Sequence, residues 1–168
     1  MIKGVRNPEL RQALEEHAEQ TRGQVERLEE VFERLDLGKR AKRCEAMEGL
    51  LEEARAQMEE IEDEAVRDVA LIVSAQKVEH YEIASYGSLV ALARQLGRDE
   101  VVPLLRETLE EEKATDERLT RVAESVANPQ APEGEVRDDP DAEDGDDEAG
   151  TAKQPARGGK GRGKAKAA

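Results

Sequence analysis

The sequence contains no tryptophan, one phenylalanine and two tyrosines. A core without aromatics has to come from Leu, Val, Ile, Ala and Met, side chains that suit helix packing better than a β-sandwich, so the chain reads as all-α. Cys44 is the only cysteine, which excludes an intrachain disulfide and points to a reducing, cytoplasmic setting. No window approaches the ~18 consecutive apolar residues of a membrane-spanning helix. The N-terminal stretch MIKGVRNPELRQALEEH turns charged without the apolar segment of a secretory signal, so no membrane partner is expected. Glycines cluster in the tail and at the ends of helical stretches. No phosphate-cradling loop, dinucleotide fingerprint or nucleophilic triad is visible, which removes support for hydrolase and kinase readings.

Charge is abundant. Forty acidic residues face 26 basic ones, for a formal net charge of -14. Such a field repels nucleic acid and anionic membranes and attracts cations.

Asn7-Pro8-Glu9 is a helix-start signature: a capping side chain, a residue with preset φ, then an acid at the positive end of the dipole. Leu10, Leu14, Thr21, Val25, Leu28, Phe32 and Leu35 then recur at spacings of three and four, predicting a helix from Pro8 to Leu37 stopped by Gly38. Between Gly38 and Asp63 the signal weakens; Met47, Leu50, Leu51, Ala54, Met58 and Ile61 form a narrow stripe in a crossover segment with short helices of its own. A central helix is expected from Glu64 to Leu96, ended by Gly97. A last one runs from Arg98 to Ala127, with Pro103 tolerated in its first turn and Asn128-Pro129 as its end. The helical domain is thus residues 1–127. Residues 128–168 change to an acidic run and then a basic one, KQPARGGKGRGKAKAA, which cannot bury enough apolar area to order itself. The basic stretch offers weak phosphate contacts to nucleic acid, in competition with the adjoining acidic run.

Polar residues inside an apolar stripe are the ones that need an explanation. At ~100° per residue, Ile72, Tyr86 and Val90 lie about 20° from the direction of Glu79, and Ile83 about 40°. Glu82 lies about 60° from Glu79, so two carboxylates point into one buried region. On the last helix Glu112 lines up with Leu105, Leu119 and Ala123, and Asp116 stays within about 40° of it. On the first, His17 lies between Leu14, Thr21 and Leu28, with Gln24 beside that line. Four inward acids must take up protons or share cations. Carboxylates with one imidazole suit iron, with manganese as the alternative, and the absence of inward thiols argues against a zinc–thiolate or iron–sulfur site. His80 falls at the edge of the stripe. The competing reading is a non-catalytic helical interaction or stress protein without metal, its inward acids paired with Lys77, Arg106 or a partner's residues.

The run QKVEHYEIASYGSLVALARQLG, with CEAMEGLLEEA before it and LLRETLEEEKATDERL after it, resembles the YciE/YciF-type ferritin-like proteins of bacteria. The likeness extends over Asn7 to Ser125, including NPELRQALEEHAEQTRGQVERLEEVF. It implies a ferritin-like four-helix bundle with a di-iron or similar two-metal centre, in proteins linked to stress responses whose activity is poorly defined; chemistry of the ferroxidase type, on iron with O2 or peroxide, is what such a centre would support. Carried over residue by residue, it leaves Glu79 and Glu82, Glu112 with Asp116, and His17 as metal ligands. In such relatives a further helix, with a tyrosine and a metal-binding glutamate, precedes the matched stretch, and Gln20 and Arg22 stand where relatives can carry an acid and a histidine. Three long helices with one open apolar face therefore predict either a start upstream of Met1 or a homodimer that closes the bundle face to face.

Overall fold

The computed structural model describes residues 4–39 and 42–131. The expected disordered tail, with its nucleic-acid contacts, lies almost wholly outside the described residues. Four α-helices follow one another: α1 (Pro8–Arg34), α2 (Glu45–Glu60), α3 (Glu64–Gln95) and α4 (Val102–Val122). Among the described residues there is no strand, and no helix is long and apolar enough to cross a membrane.

α1 begins as its sequence requires. The Asn7 side chain accepts hydrogen bonds from the N–H groups of Glu9 and Leu10, at 2.9 and 3.1 Å, with Pro8 in the first turn. Just before it, the buried Asp68 carboxylate on α3 accepts the N–H groups of Arg6 and Asn7, which ties the start of α1 to α3. The helix ends earlier than the glycine predicts. Asp36 takes the left-handed conformation (φ 53°) and the N–H of Leu37 reaches back to the carbonyl of Phe32, so an aspartate closes the helix two residues before Gly38. At the end of α3 the same closure is made by Gly97 (φ 67°), with Arg98 N–H on the Ala93 carbonyl.

The crossover segment is one continuous 16-residue helix rather than several short ones. α4 starts at Val102, four residues later than expected, with Pro103 in the first turn where its missing N–H does no harm. The last turns do not stop before Asn128-Pro129: Ala123–Ala127 widen into a π-helical turn and Asn128–Gln130 stay helical. A proline ring clashes with the carbonyl four residues back in a regular α-helix, and the wider turn relieves that clash.

α4 packs against both α3 and α1, and α2 lies along α3. Two apolar clusters result. One joins Val5, Leu10, Leu71, Ile72, Leu119 and Val122. The other joins Val31, Tyr86, Val90, Val101, Leu105 and Leu109. Between them, at mid-height of α1, α3 and α4, the inward positions are polar.

Candidate metal centre

Glu79 of α3 and Glu112 of α4 are among the most deeply buried side chains in the protein, 2% and 0% exposed. Glu82 lies one turn along from Glu79, and His17 of α1 faces them both. One ligand atom from each of His17, Glu79, Glu82 and Glu112 falls within 4.8 Å of every other. Ligand atoms on one ion with ~2.1 Å bonds stand about 3.4 Å apart in a tetrahedral set and about 3.0–4.2 Å apart in an octahedral one, so side-chain shifts of about 1 Å would bring all four onto one cation.

His17 is oriented by its partners. Its Nδ1 lies 3.2 Å from the hydroxyl of Thr115 on α4, while Nε2 lies 3.2 Å from Oε1 of Glu79 and 3.9 Å from Oε2 of Glu112. In the tautomer whose Nδ1–H donates to Thr115, Nε2 would be free to ligate an ion, the arrangement by which outer partners set a metal-ligating imidazole; the other tautomer would donate from Nε2 to Glu79. The carboxylates, by contrast, are under-satisfied: Oε2 of Glu79 and both carboxylate oxygens of Glu112 are buried without a hydrogen-bond partner. Each such group carries a desolvation penalty of about 1–3 kcal/mol, more when charged. Burial, reinforced by the facing Glu112, pushes the Glu79 carboxyl up to about 10. Burial and Glu112 raise Glu82 to about 7. Tyr86 is buried close by, and burial with the charges of Glu82 and Glu112 raises its phenol to about 12.

Asp116, the fifth expected ligand, stands apart from this group. Its Oδ1 accepts a hydrogen bond from Gln76 at 3.1 Å and lies 3.4 Å from Nε2 of the exposed His80, on the outer side of the α3–α4 seam. Lys77 reaches Glu53 on α2 rather than an inward acid. Cys44 is exposed at the start of α2, its Sγ 3.1 Å from the Tyr81 hydroxyl, so no thiol joins the donor set.

Sequence reasoning did not find the network that aligns α1 with α4. The Arg27 guanidinium donates to Thr108 at 2.7 Å, to Glu107 at 2.7 Å and to both oxygens of Glu111 at 2.9 and 3.0 Å. The buried Gln24 donates to the same Glu111 at 3.1 Å. Burial would raise Glu111, but the hydrogen bonds from Arg27 and Gln24 outweigh it and hold the carboxyl below its usual range. Glu111 therefore stays a charged anchor beside Glu112. The available signal was Gln24, an amide close to an apolar stripe with a basic residue one turn on.

The pattern of the DUF892 family, described as a domain of unknown function, matches residues 1–132. Protein YciF of Escherichia coli is 51% identical over 132 residues, which is 78% of this chain and 80% of YciF. The crystal structure of the E. coli stress protein YciF superposes with a TM-score of 0.72 at 52% identity, over 76% of this chain and 80% of that one. YcfI of Rhodopseudomonas palustris, provisionally described as a structural protein, superposes with a TM-score of 0.71 at 44% identity, over 73% of this chain and 78% of its own. The chain thus belongs to the DUF892 family, that of the YciF-like helical proteins.

Proposed function

We propose that the protein is a ferritin-like cation-binding protein whose His17, Glu79, Glu82 and Glu112 hold a transition-metal ion, iron first and manganese second. The observation that carries this reading is three buried carboxylate oxygens without a hydrogen-bond partner, Oε2 of Glu79 and both oxygens of Glu112, on the two glutamates whose carboxyl groups lie beside the His17 imidazole nitrogen. A fold tolerates such a set when something positive completes it. The donors are hard oxygens and one borderline nitrogen, which suits iron and manganese better than thiophilic ions. An ion held there would supply Lewis acidity or, for iron, one-electron chemistry toward O2 or peroxide. The chain's own part is to hold the carboxyl groups together and dry, so that their protons exchange for the ion, and to hold the His17 ring in place between Thr115 and Glu79. The likeness to a protein named for stress supports a stress-related role.

The reading includes self-association. Leu89 and Leu92 of α3 and Leu96 just after its end are exposed, at 42%, 52% and 72%, and a second copy would cover them.

The test is metal per protomer by mass spectrometry after anaerobic loading with Fe2+ and desalting. About one ion or more per protomer, lost in Glu79→Gln and Glu112→Gln, is expected. Failure of the wild type to retain Fe2+ or Mn2+ at neutral pH sinks the metal reading and leaves the metal-free helical protein suggested by the description of YcfI.

A further inference from the structure

One face of α3 carries both a hollow and a ridge. The hollow is a recess of about 380 Å³, open to the surface between α1, α2 and α3, where Ala18, Ala54 and Ala75 stand among Leu14, Leu51 and Val78. His17, 16% exposed, forms part of its wall, so the acid cluster is open to solvent on this side. The hydroxyls of the wall are used internally: Thr21 donates to the His17 carbonyl at 2.9 Å and Ser74 to Gln57 at 2.8 Å. The ridge is Leu89, Leu92 and Leu96, all exposed. At ~100° per residue Leu89 and Leu96 share the directions of Ala75 and Val78, and Leu92 lies about 40° beyond Val78.

A hollow and a ridge on one face are what an isologous pair requires, because each copy then presents both halves of the contact. The spacing fits. Ser85 is equidistant in sequence from Val78 and Leu92, and also from Ser74 and Leu96. A two-fold axis crossing α3 at Ser85 therefore lays Leu92 of one copy on Val78 of the other, and Leu96 on Ser74 and the adjacent Ala75. Ser85 allows the close approach, being small and with its hydroxyl bound to the Tyr81 carbonyl at 2.7 Å. A cavity of roughly 150 Å³ holds one benzene-sized group, so 380 Å³ has room for two leucine side chains. The face from Leu71 to Leu96 is about 38 Å long and about 20 Å across α1 and α3, roughly 750 Å² per copy, against ~800 Å² per partner in a stable interface. We infer that two copies of this chain pair through this face with their α3 helices antiparallel, Leu92 and Leu96 of each filling the recess of the other and closing His17 off from solvent. The inference deepens the self-association proposed above. It rests on the cation reading only at the closed centre, since ridge and hollow exist with or without an ion. The -14 charge of each copy opposes the pairing at long range, so salt is expected to tighten it.

The test is sedimentation of the metal-free full chain over a dilution series, read as a dimer dissociation constant. Leu96→Glu, which puts a charge on the ridge, and Ala18→Leu, which fills the hollow, are each expected to weaken the dimer by at least about tenfold. Mixed in equal amounts, the two variants are expected to associate at least about threefold tighter than either alone, because the mixed pair keeps one intact ridge seated in one intact hollow. Far-UV circular dichroism checks the fold, and Leu92→Gln and Ala75→Leu stand in for a variant that misfolds. A wild-type chain that stays monomeric overturns the inference. So does a dimer that either folded variant leaves unchanged, or a mixture without recovery, the results that an interface elsewhere or an unrelated occupant of the recess would give. Mn2+ release to a chelator is expected to be at least about tenfold slower from the wild-type dimer than from the folded Leu96→Glu chain; equal rates overturn the closing of the centre. Absence of Mn2+ binding with the dimer and its mixing behaviour intact defeats the cation reading and leaves the pairing standing.

Discussion

At the scale of single residues, Glu112 is the most informative side chain. It is fully buried, and apart from the Glu79 carboxyl that faces it neither of its oxygens has a hydrogen-bond partner, so in the metal-free protein it works against folding. Glu112→Leu is expected to raise metal-free stability by about 1–3 kcal/mol, the desolvation of an unsatisfied group, and to abolish metal retention. Urea denaturation in the presence of a chelator checks the first effect; a loss of stability there would show that the carboxylate has a structural partner. Arg27→Ala should do the opposite, lowering stability by about 2 kcal/mol because a partly buried Glu111 and the Thr108 hydroxyl lose their donors. Titration separates the cluster from ordinary surface acids. Glu82 and Glu79 have folded pKa values of about 7 and about 10 against an ordinary 4.5, so the metal-free folded state holds protons that the unfolded chain has released. Their contribution to stability is fully present below about pH 4.5 and is lost as pH rises, through about 7 for Glu82 and onward toward about 10 for Glu79, with a slope of up to ~1.4 kcal/mol per pH unit per proton. Thermal melts in chelator from pH 5 to pH 8 should therefore show falling Tm, and saturating Mn2+ should flatten or reverse the trend.

At the scale of helices, local chemistry dictated more than tertiary packing did. Asn7-Pro8 caps α1 and Gly97 closes α3 as the sequence predicts, because these residues act on backbone groups within a few positions of themselves. Asn7→Ala is expected to cost about 1 kcal/mol by losing that cap, measurable as a lower urea midpoint with unchanged slope. The end of α1 shows where local reading stops. Asp36 and Gly38 are both able to adopt the left-handed conformation, and the choice between them rests on the contacts of the exiting chain. Asp36→Gly is expected to raise stability by up to about 1 kcal/mol, since glycine takes φ 53° without a Cβ penalty. A destabilised variant would mean that the aspartate side chain makes a contact worth more than the backbone relief. The π-helical turn at Ala123–Ala127 had no sequence signal beyond Pro129 itself, which is compatible with stopping a helix or widening it.

At the scale of the whole molecule, a polar layer is held between two apolar clusters, where α1 and α4 are joined by the Arg27–Glu111 pair as well as by apolar packing above and below it. Cation uptake should release protons, since carboxyls raised to about 7 and about 10 must ionise to become ligands. Mn2+ titrations at neutral pH in two buffers of different ionisation enthalpy should differ in observed heat, and affinity should rise between about pH 6 and pH 9; a pH-independent affinity would place the ion elsewhere. Helix content and the inward direction of Glu79, Glu82, Glu112 and His17 were legible from residue order, because a side chain's direction on a helix follows from a fixed ~100° turn. Asp116 satisfies the same angular count and still lies outside the cluster. Only the packing of α3 against α4 decided whether its carboxylate met the interior acids or Gln76 and His80. The spacing between helices and the seating of His17 between Thr115 and Glu79 are likewise properties of several elements at once, and no helix carries them in its own sequence.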